Sequence, residues 1–313
     1  MGHEQISRQD DENARGKRGR VEAVDLVLWP SAIMHLPLAT QLDVAAAGGF
    51  TGLAVAPVTI KRELAAGLSI ADLISQAADR RISFAQLDGV STWTRHWYPT
   101  EGDPDFNASI RARFDVSINE ALDLGEALGI ASAIAVGAFD EGAVPLDELI
   151  DSYAKFCDAA KAHRIDVELE FIPLWGIREL PMAWEIVKTA DRANSGIVVD
   201  TWHLQQGSRD FERDLSLLAT IPGRYLRAVQ LADADLIADG HSLMEEIMLR
   251  KFPGDGALDI SRMLSLVAAA GGLRNVGPEV VGVALDGLSL EEIGARSGAT
   301  TRSALSKAEN YAR

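Results

Sequence analysis

Asp166-Val167-Glu168-Leu169-Glu170-Phe171 (166–171) is the stretch whose reading decides the fold. Successive side chains on a β-strand point to opposite faces, so Val167, Leu169 and Phe171 share one side and Asp166, Glu168 and Glu170 the other. A strand with one apolar face and one acidic face suits a closed parallel sheet. The apolar face packs on outer helices and the acidic face lines the interior, where a cation or hydrogen-bond donors must compensate it. Glu170 stands nearest the C-terminal end of the run, and Glu168 one layer below it in a supporting position.

Other extended apolar runs repeat along the chain at 24–30, 50–57, 82–89, 130–139, 195–203, 224–234 and 275–281. Amphipathic segments such as SIADLISQAADRR (69–81) and INEALDLGEALG (118–129) separate them, with apolar residues at three- and four-residue spacing. Eight strands alternating with helices predict an α/β fold, a closed (β/α)8 barrel. The competing fold is an open doubly wound sheet, which should carry a glycine-rich phosphate turn after its first strand; SAIMHLP (31–37) follows instead. No linker-rich break interrupts the series. Residues 1–22 read as a solvated tail and 23–313 as one barrel.

Composition sets limits on partners. Asp and Glu number 46 against 30 Lys and Arg, for a formal charge of −16, which disfavours nucleic acid and anionic membrane as main partners. The chain has no run of 18 or more apolar residues and no signal-peptide core, and its single cysteine, Cys157, excludes an internal disulfide. Cys157 sits in the helical pattern DELIDSYAKFCDAAKAH (147–163) and reads as a buried small residue rather than a nucleophile. A cytoplasmic location, a small-molecule substrate and a possible homo-oligomer are the corresponding expectations.

Four oxygen-bearing residues close the last four runs: Glu170, Asp200, Gln230 and Glu279. The first three are spaced by one βα unit, which returns their side chains to the same end of neighbouring strands. Three carboxylates and an amide oxygen describe a site for a hard divalent cation, Mn²⁺ or Mg²⁺ before Zn²⁺. Each has a plainer reading: a rim carboxylate for Glu170, a helix cap for Asp200, a hydrogen-bonded barrel residue for Gln230, a loop carboxylate for Glu279. Three residues after Asp200, His203 would lie over the metal as substrate ligand or proton carrier, or serve as a structural histidine. Arg250 precedes the turn Pro253-Gly254-Asp255-Gly256 and offers a fork for a substrate oxygen or anion, or a surface charge. The loop 91–98 concentrates aromatics, among them Trp93 and Trp97, which would wall a substrate pocket or cap the barrel.

The motifs LEFIPLW (169–175), VVDTWH (198–203), VQLADA (229–234), RKFPGDG (250–256) and GPEVV (277–281) resemble those of the xylose isomerase-like TIM-barrel superfamily, the sugar phosphate isomerase/epimerase group. The resemblance implies that Glu170, Asp200, Gln230 and Glu279 hold one divalent ion and that His203 contacts substrate. It implies a proton abstraction through a metal-stabilised enediolate, with Glu170, Glu279 and His203 as the catalytic set. Gln230 stands where sugar epimerases usually carry His, and glutamine there is more like the 3-dehydroshikimate dehydratase branch, which also has an arginine before its PGxG turn. The second strand, LAVAP (53–57), lacks the acid that many epimerases place there. Apurinic endonucleases share the barrel but need several strand histidines, and only His203 of the six here falls on a matching motif. An isomerase or epimerase is therefore expected, with a dehydratase and a non-catalytic ligand-binding barrel as alternatives.

Overall fold

A computed structural model describes residues 24–237 and 241–311, so the tail expected over 1–22 lies outside the described residues. The strands are β1 (Asp25–Leu28), β2 (Gly52–Val55), β3 (Ser83–Val90), β4 (Ser132–Val136), β5 (Asp166–Glu170), β6 (Ser195–Asp200), β7 (Leu226–Leu231) and β8 (Asn275–Pro278). They pair in chain order, all parallel, and β8 closes on β1 through Asp25–Asn275 and Leu26–Val276. The barrel is the (β/α)8 fold that the alternating pattern predicts, and each expected run overlaps its strand, β3 extending one residue beyond 82–89.

The two-residue period of β5 works as expected. Val167, Leu169 and Phe171 join the apolar layer between strands and helices, while Val27, Ala54, Ile134, Val198 and Ala228 fill the barrel interior. Glu168 and Glu170 point inward and are 2% and 4% exposed. From the outer layer, the buried Tyr153 hydroxyl donates to the carbonyl oxygens of Val167 and Gly196, 2.8 and 3.2 Å away, tying helix Leu146–Ala162 to β5 and β6. Cys157 lies in that helix, fully buried, its thiol pushed up to about 12 by burial.

Local signals set the helix ends. Ser69 and Asp72 form a reciprocal capping box at the start of helix Ile70–Asp79. Ser117 caps Ile118–Leu128, which stops at Gly129 in the left-handed conformation, φ 72°.

Register places the mouth residues. Asp200 pairs with Gln230, and Gln230 with Gly277, so these three share one rung; Glu170 instead faces Val198. Even spacing in sequence returns the side chains to the same end of the barrel, while the stagger of the closed sheet offsets β5 by two residues. Gly277 permits β8 to lie against β1, since a Cβ there would come within 1.5 Å of the Val27 carbonyl oxygen. Glu279 follows β8 by one residue, and its N–H donates to Leu231 O at 2.9 Å.

Candidate active site at the barrel mouth

β6 runs directly into the short helix Thr201–Gln206, and Asp200 serves both as its cap and as a mouth residue. Its Oδ1 accepts the His203 backbone N–H at 2.7 Å. Thr201 ties this junction to the next strand: its hydroxyl donates to Ala232 O and accepts from Ala232 N–H, at 2.7 and 2.9 Å. The helix turn brings His203 to the mouth, with its imidazole Nε2 3.4 Å from Glu170 Oε1.

The loop after β7 folds back to deliver Arg250. Asp233 and Lys251 form an antiparallel bridge, with N–H to O distances of 2.9 and 2.7 Å. The Asp233 carboxylate accepts from Gly254 N–H at 2.8 Å and Leu258 N–H at 3.0 Å, and Gly254 takes φ 94°, which favours glycine. Arg250 is thereby buried, 2% exposed, rather than at the surface. Its Nη1 donates to Asp200 Oδ2 (3.2 Å), Glu279 Oε2 (3.1 Å) and Glu279 O (3.1 Å). Nη2 lies 3.2 Å from His203 Nε2, and the guanidinium carbon sits 4.8 Å from the Trp202 ring centroid. The other Glu279 oxygen accepts from the Ser31 hydroxyl at 2.7 Å.

Glu170, His203 and Glu279 each offer a ligand atom, and the three atoms lie within 4.8 Å of one another. Gln230, fully buried on the neighbouring rung, has no hydrogen-bond partner for either amide atom among the described residues. Asp200, in contrast, already has both oxygens engaged, by His203 N–H and Arg250. The structure thus groups all four sequence-expected acids and amides at one end, with Arg250 drawn in among them.

Burial governs the electrostatics. Burial, reinforced by Glu279, Asp88 and Asp200, raises the Glu170 carboxyl well above its ordinary range. Burial and the adjacent Arg250 charge hold His203 well below 6.5, so its ring is neutral at neutral pH. Burial opposes the charge on Arg250, yet Asp200, Glu279 and Glu170 together raise its pKa above the ordinary value.

Above these groups opens a cavity of about 830 Å³. Asp88, Glu170, His203, Arg250 and Glu279 face it, and Phe106, Ile110, Phe114, Leu174 and Trp175 form much of its apolar wall. The opposite lip carries Met244 and Met248, 45% and 51% exposed.

Trp93 and Trp97, expected to contact substrate, do not face this cavity. Trp93 turns into the outer core, donates its indole N–H to Val136 O at 2.9 Å, and stacks edge-on against Tyr153. Trp97 packs edge-on against Tyr98 beside the inner cluster. Trp93 braces the barrel because buried partners lie close to it, while Trp97 and Tyr98 pair with one another half-buried.

Four polar residues that face the cavity escaped the sequence reading: Ser31, Asp88, Arg113 and Asp286. Asp88 had a signal. Gln86 and Asp88 alternate on β3 as Glu168 and Glu170 do on β5. Its carboxyl is pushed up to about 6 by burial, against the pull of Arg113, with Glu279 adding to the rise. Arg113 had none, since it lies on helix Pro104–Phe114 and only tertiary packing aims it inward.

Comparison with known proteins places this architecture. The model of the family described as xylose isomerase-like TIM barrel matches residues 42–282. A 3-dehydroshikimate dehydratase of Pseudomonas aeruginosa is 29% identical over 178 residues, 53% of this chain and 26% of that protein. An inosose isomerase of Bacillus subtilis is 26% identical over 150 residues, 46% of this chain and 51% of that protein. The chain therefore spans about a quarter to half the length of these curated relatives. Among solved structures, the IOLI protein with a bound zinc atom superposes with TM-score 0.75 at 20% identity, covering 91% of this chain and 99% of that one. D-psicose 3-epimerase from Clostridium cellulolyticum H10 gives 0.62 at 14% identity, covering 93% and 100%. Both likenesses speak for the fold. With the family model covering most of the barrel, this chain belongs to the xylose isomerase-like TIM barrel family.

Proposed function

We propose that this chain is a divalent-metal-dependent isomerase or epimerase, acting on a sugar-like polyhydroxylated substrate at a carbon next to a carbonyl. The observation that carries the reading is the convergence of Glu170, His203 and Glu279 on the floor of a cavity with apolar walls. Inosose isomerase among the relatives supports it.

The residues fit a hard divalent ion, Mn²⁺ or Mg²⁺. Glu170, Asp200 and Glu279 are oxygen donors, and the Gln230 amide supplies a fourth oxygen that no described residue satisfies. Holding the ion with Asp200 requires Arg250 to release Oδ2; the alternative set replaces Asp200 and Gln230 with His203. When bound, such an ion supplies Lewis acidity to adjacent substrate oxygens.

The chain's own groups perform the proton chemistry. Glu170, whose oxygens meet only His203 among the described residues, takes the proton from carbon in its ionised form. Glu279, held as a carboxylate by Ser31 and Arg250, returns to the opposite face a proton that it first takes from solvent, while the proton held by Glu170 is the one returned on its own side. Neutral His203 and the forked Arg250 orient substrate hydroxyls. Return to a neighbouring carbon is isomerisation, and return to the opposite face is epimerisation.

A second reading, a dehydratase of the 3-dehydroshikimate type, expels a β-hydroxyl after the same first step. It is favoured by the Pseudomonas relative and by Gln230 and Arg250 in their motifs.

The test is to load the protein with Mn²⁺, measure bound metal, and incubate with inosose, D-psicose or 3-dehydroshikimate in deuterated water. Deuterium entering recovered inosose or psicose supports the isomerase. Aromatic absorbance from 3-dehydroshikimate alone supports the dehydratase. Less than about half an equivalent of metal, with no exchange and no new absorbance, leaves a non-catalytic barrel.

A further inference from the structure

The cavity is larger than its charged floor requires. Glu170, His203 and Glu279 gather at one end of a space of about 830 Å³. Pockets of roughly 300–1,000 Å³ enclose drug-sized molecules, so a lone polyol ring occupies only part of this one. The remaining room is apolar on two sides. On one side, helix Pro104–Phe114 turns Phe106, Ile110 and Phe114 inward, four residues apart on one helix face. Trp175 extends that wall and meets Phe114 edge-on, with ring centroids 5.8 Å apart. On the other side stand Met244 and Met248, 45% and 51% exposed. Gly282, φ 78°, seats that lip against the chain after β8: a Cβ there would come within 2.0 Å of the Met248 carbonyl oxygen. Exposed apolar side chains that continue from a candidate active site mark where an apolar part of a ligand is covered.

We propose that the substrate of this site is a polyhydroxylated molecule carrying an aromatic substituent, whose ring lies between the Phe114–Trp175 wall and the Met244–Met248 lip. The inference rests on the catalytic reading above and narrows its substrate class. The polyol part reaches the floor, where Glu170, His203, Arg250 and Glu279 supply hydrogen-bonding groups. The aromatic part fits the outer walls for a specific reason. Aromatic rings favour edge-on or offset contact with other rings, which Phe114 and Trp175 present, and thioethers pack well against ring edges. Unbranched methionine side chains adapt to rings of different shape. The floor therefore fixes the polyol, while the lip accepts several aromatic groups.

The test is calorimetric binding to the full chain incubated with Mn²⁺, using phenyl β-D-glucopyranoside, methyl β-D-glucopyranoside and phenol. Neither glycoside carries a ketone, so binding is read without turnover. The phenyl glycoside is expected to bind about tenfold to a hundredfold more tightly than the methyl glycoside, the yield of burying one aromatic ring, and more tightly than phenol. The double substitution Met244→Gln with Met248→Gln, and separately Trp175→Ala, should each cut the phenyl-over-methyl preference about threefold to tenfold. Thermal melting checks folding, and the exposed methionines keep the test valid if Trp175→Ala does not fold. Equal affinities for the two glycosides, no binding of the phenyl glycoside at millimolar concentration, or a preference that survives both changes would each overturn the aromatic subsite. Phenol binding as tightly as the phenyl glycoside would overturn the joint polyol-aromatic substrate. A dimer of the full chain that the methionine variant dissociates would give the lip to a second copy and overturn the assignment. The two readings fail separately. Deuterium exchange into inosose without any phenyl preference removes the aromatic subsite alone. A phenyl preference that falls with the methionine substitutions, in a protein that takes up no Mn²⁺ and exchanges no deuterium, removes the catalytic reading alone.

Discussion

Strand β5 carries two glutamates on one face, and they occupy two different regions of the barrel interior. Glu168, in the lower layer, accepts a hydrogen bond from Gln86 Nε2 at 2.5 Å, while nearby Asp166 pairs with Arg227. In that layer each acid has a partner, although Gln86 Oε1 and Ser132 Oγ have none among the described residues. Glu170, two residues on, enters a layer where Asp88, Asp200 and Glu279 add charge of the same sign, Gln230 has no partner, and Arg113 has an unmet donor. Both glutamates have raised pKa values, chiefly from burial. The difference lies in what surrounds them. The acids of the lower layer are paired by the chain, whereas the mouth keeps an excess of acids and an unpaired amide that a ligand can complete.

The largest expected effect tests the mouth. Glu170→Gln should lower turnover about a hundredfold to ten-thousandfold, with melting temperature held or raised, because an excess buried acid is removed. Retained turnover would return Glu170 to a structural role.

The lower layer should answer to pH as well. Glu168 is pushed up from 4.5 to about 7 by burial, which outweighs the Gln86 bond and Arg227. The folded state therefore binds this proton more tightly than the unfolded state. Stability is fully present below about 4.5 and is lost as pH rises towards about 7, by about 3 kcal/mol. In metal-free protein, Glu168→Gln should abolish this slope, matching wild type near about pH 4 and exceeding it near about pH 8. Parallel denaturation curves for the two proteins across that window would show that Glu168 is ionised in the fold.

A third substitution divides the two ligand sets. Gln230→Ala should weaken Mn²⁺ binding about tenfold or more, and His203→Ala less, if the amide holds the ion. The reverse order selects Glu170, His203 and Glu279. The smallest expected effect falls on the brace. Trp93→Phe loses the bond to Val136 O and should cost about 1–2 kcal/mol in unfolding experiments, with KM unchanged. A raised KM with normal stability would bring Trp93 back to the substrate.

How far the sequence foretold the site can be judged on particular residues. The alternation in 166–171 gave the inward face of β5, and strand-end position gave Glu170, Asp200, Gln230 and Glu279, because both follow from local periodicity. Asp88 was equally legible on β3 and was missed, since its neighbours read as an ordinary apolar run. Trp93 and Trp97 were placed wrongly relative to the cavity, because side-chain direction in a loop depends on which partners packing supplies.

From its sequence alone, this protein was committed to eight parallel strands, to an acidic interior face and to the end of the barrel where chemistry collects, all consequences of a two-residue period and a thirty-residue repeat. Tertiary structure alone decided that Arg250 folds back among the acids, that Arg113 reaches the same cavity from a distant helix, and that Gln230 is left unsatisfied. Those outcomes depend on sheet stagger and loop closure, which bring together residues far apart in the chain and which no local pattern encodes.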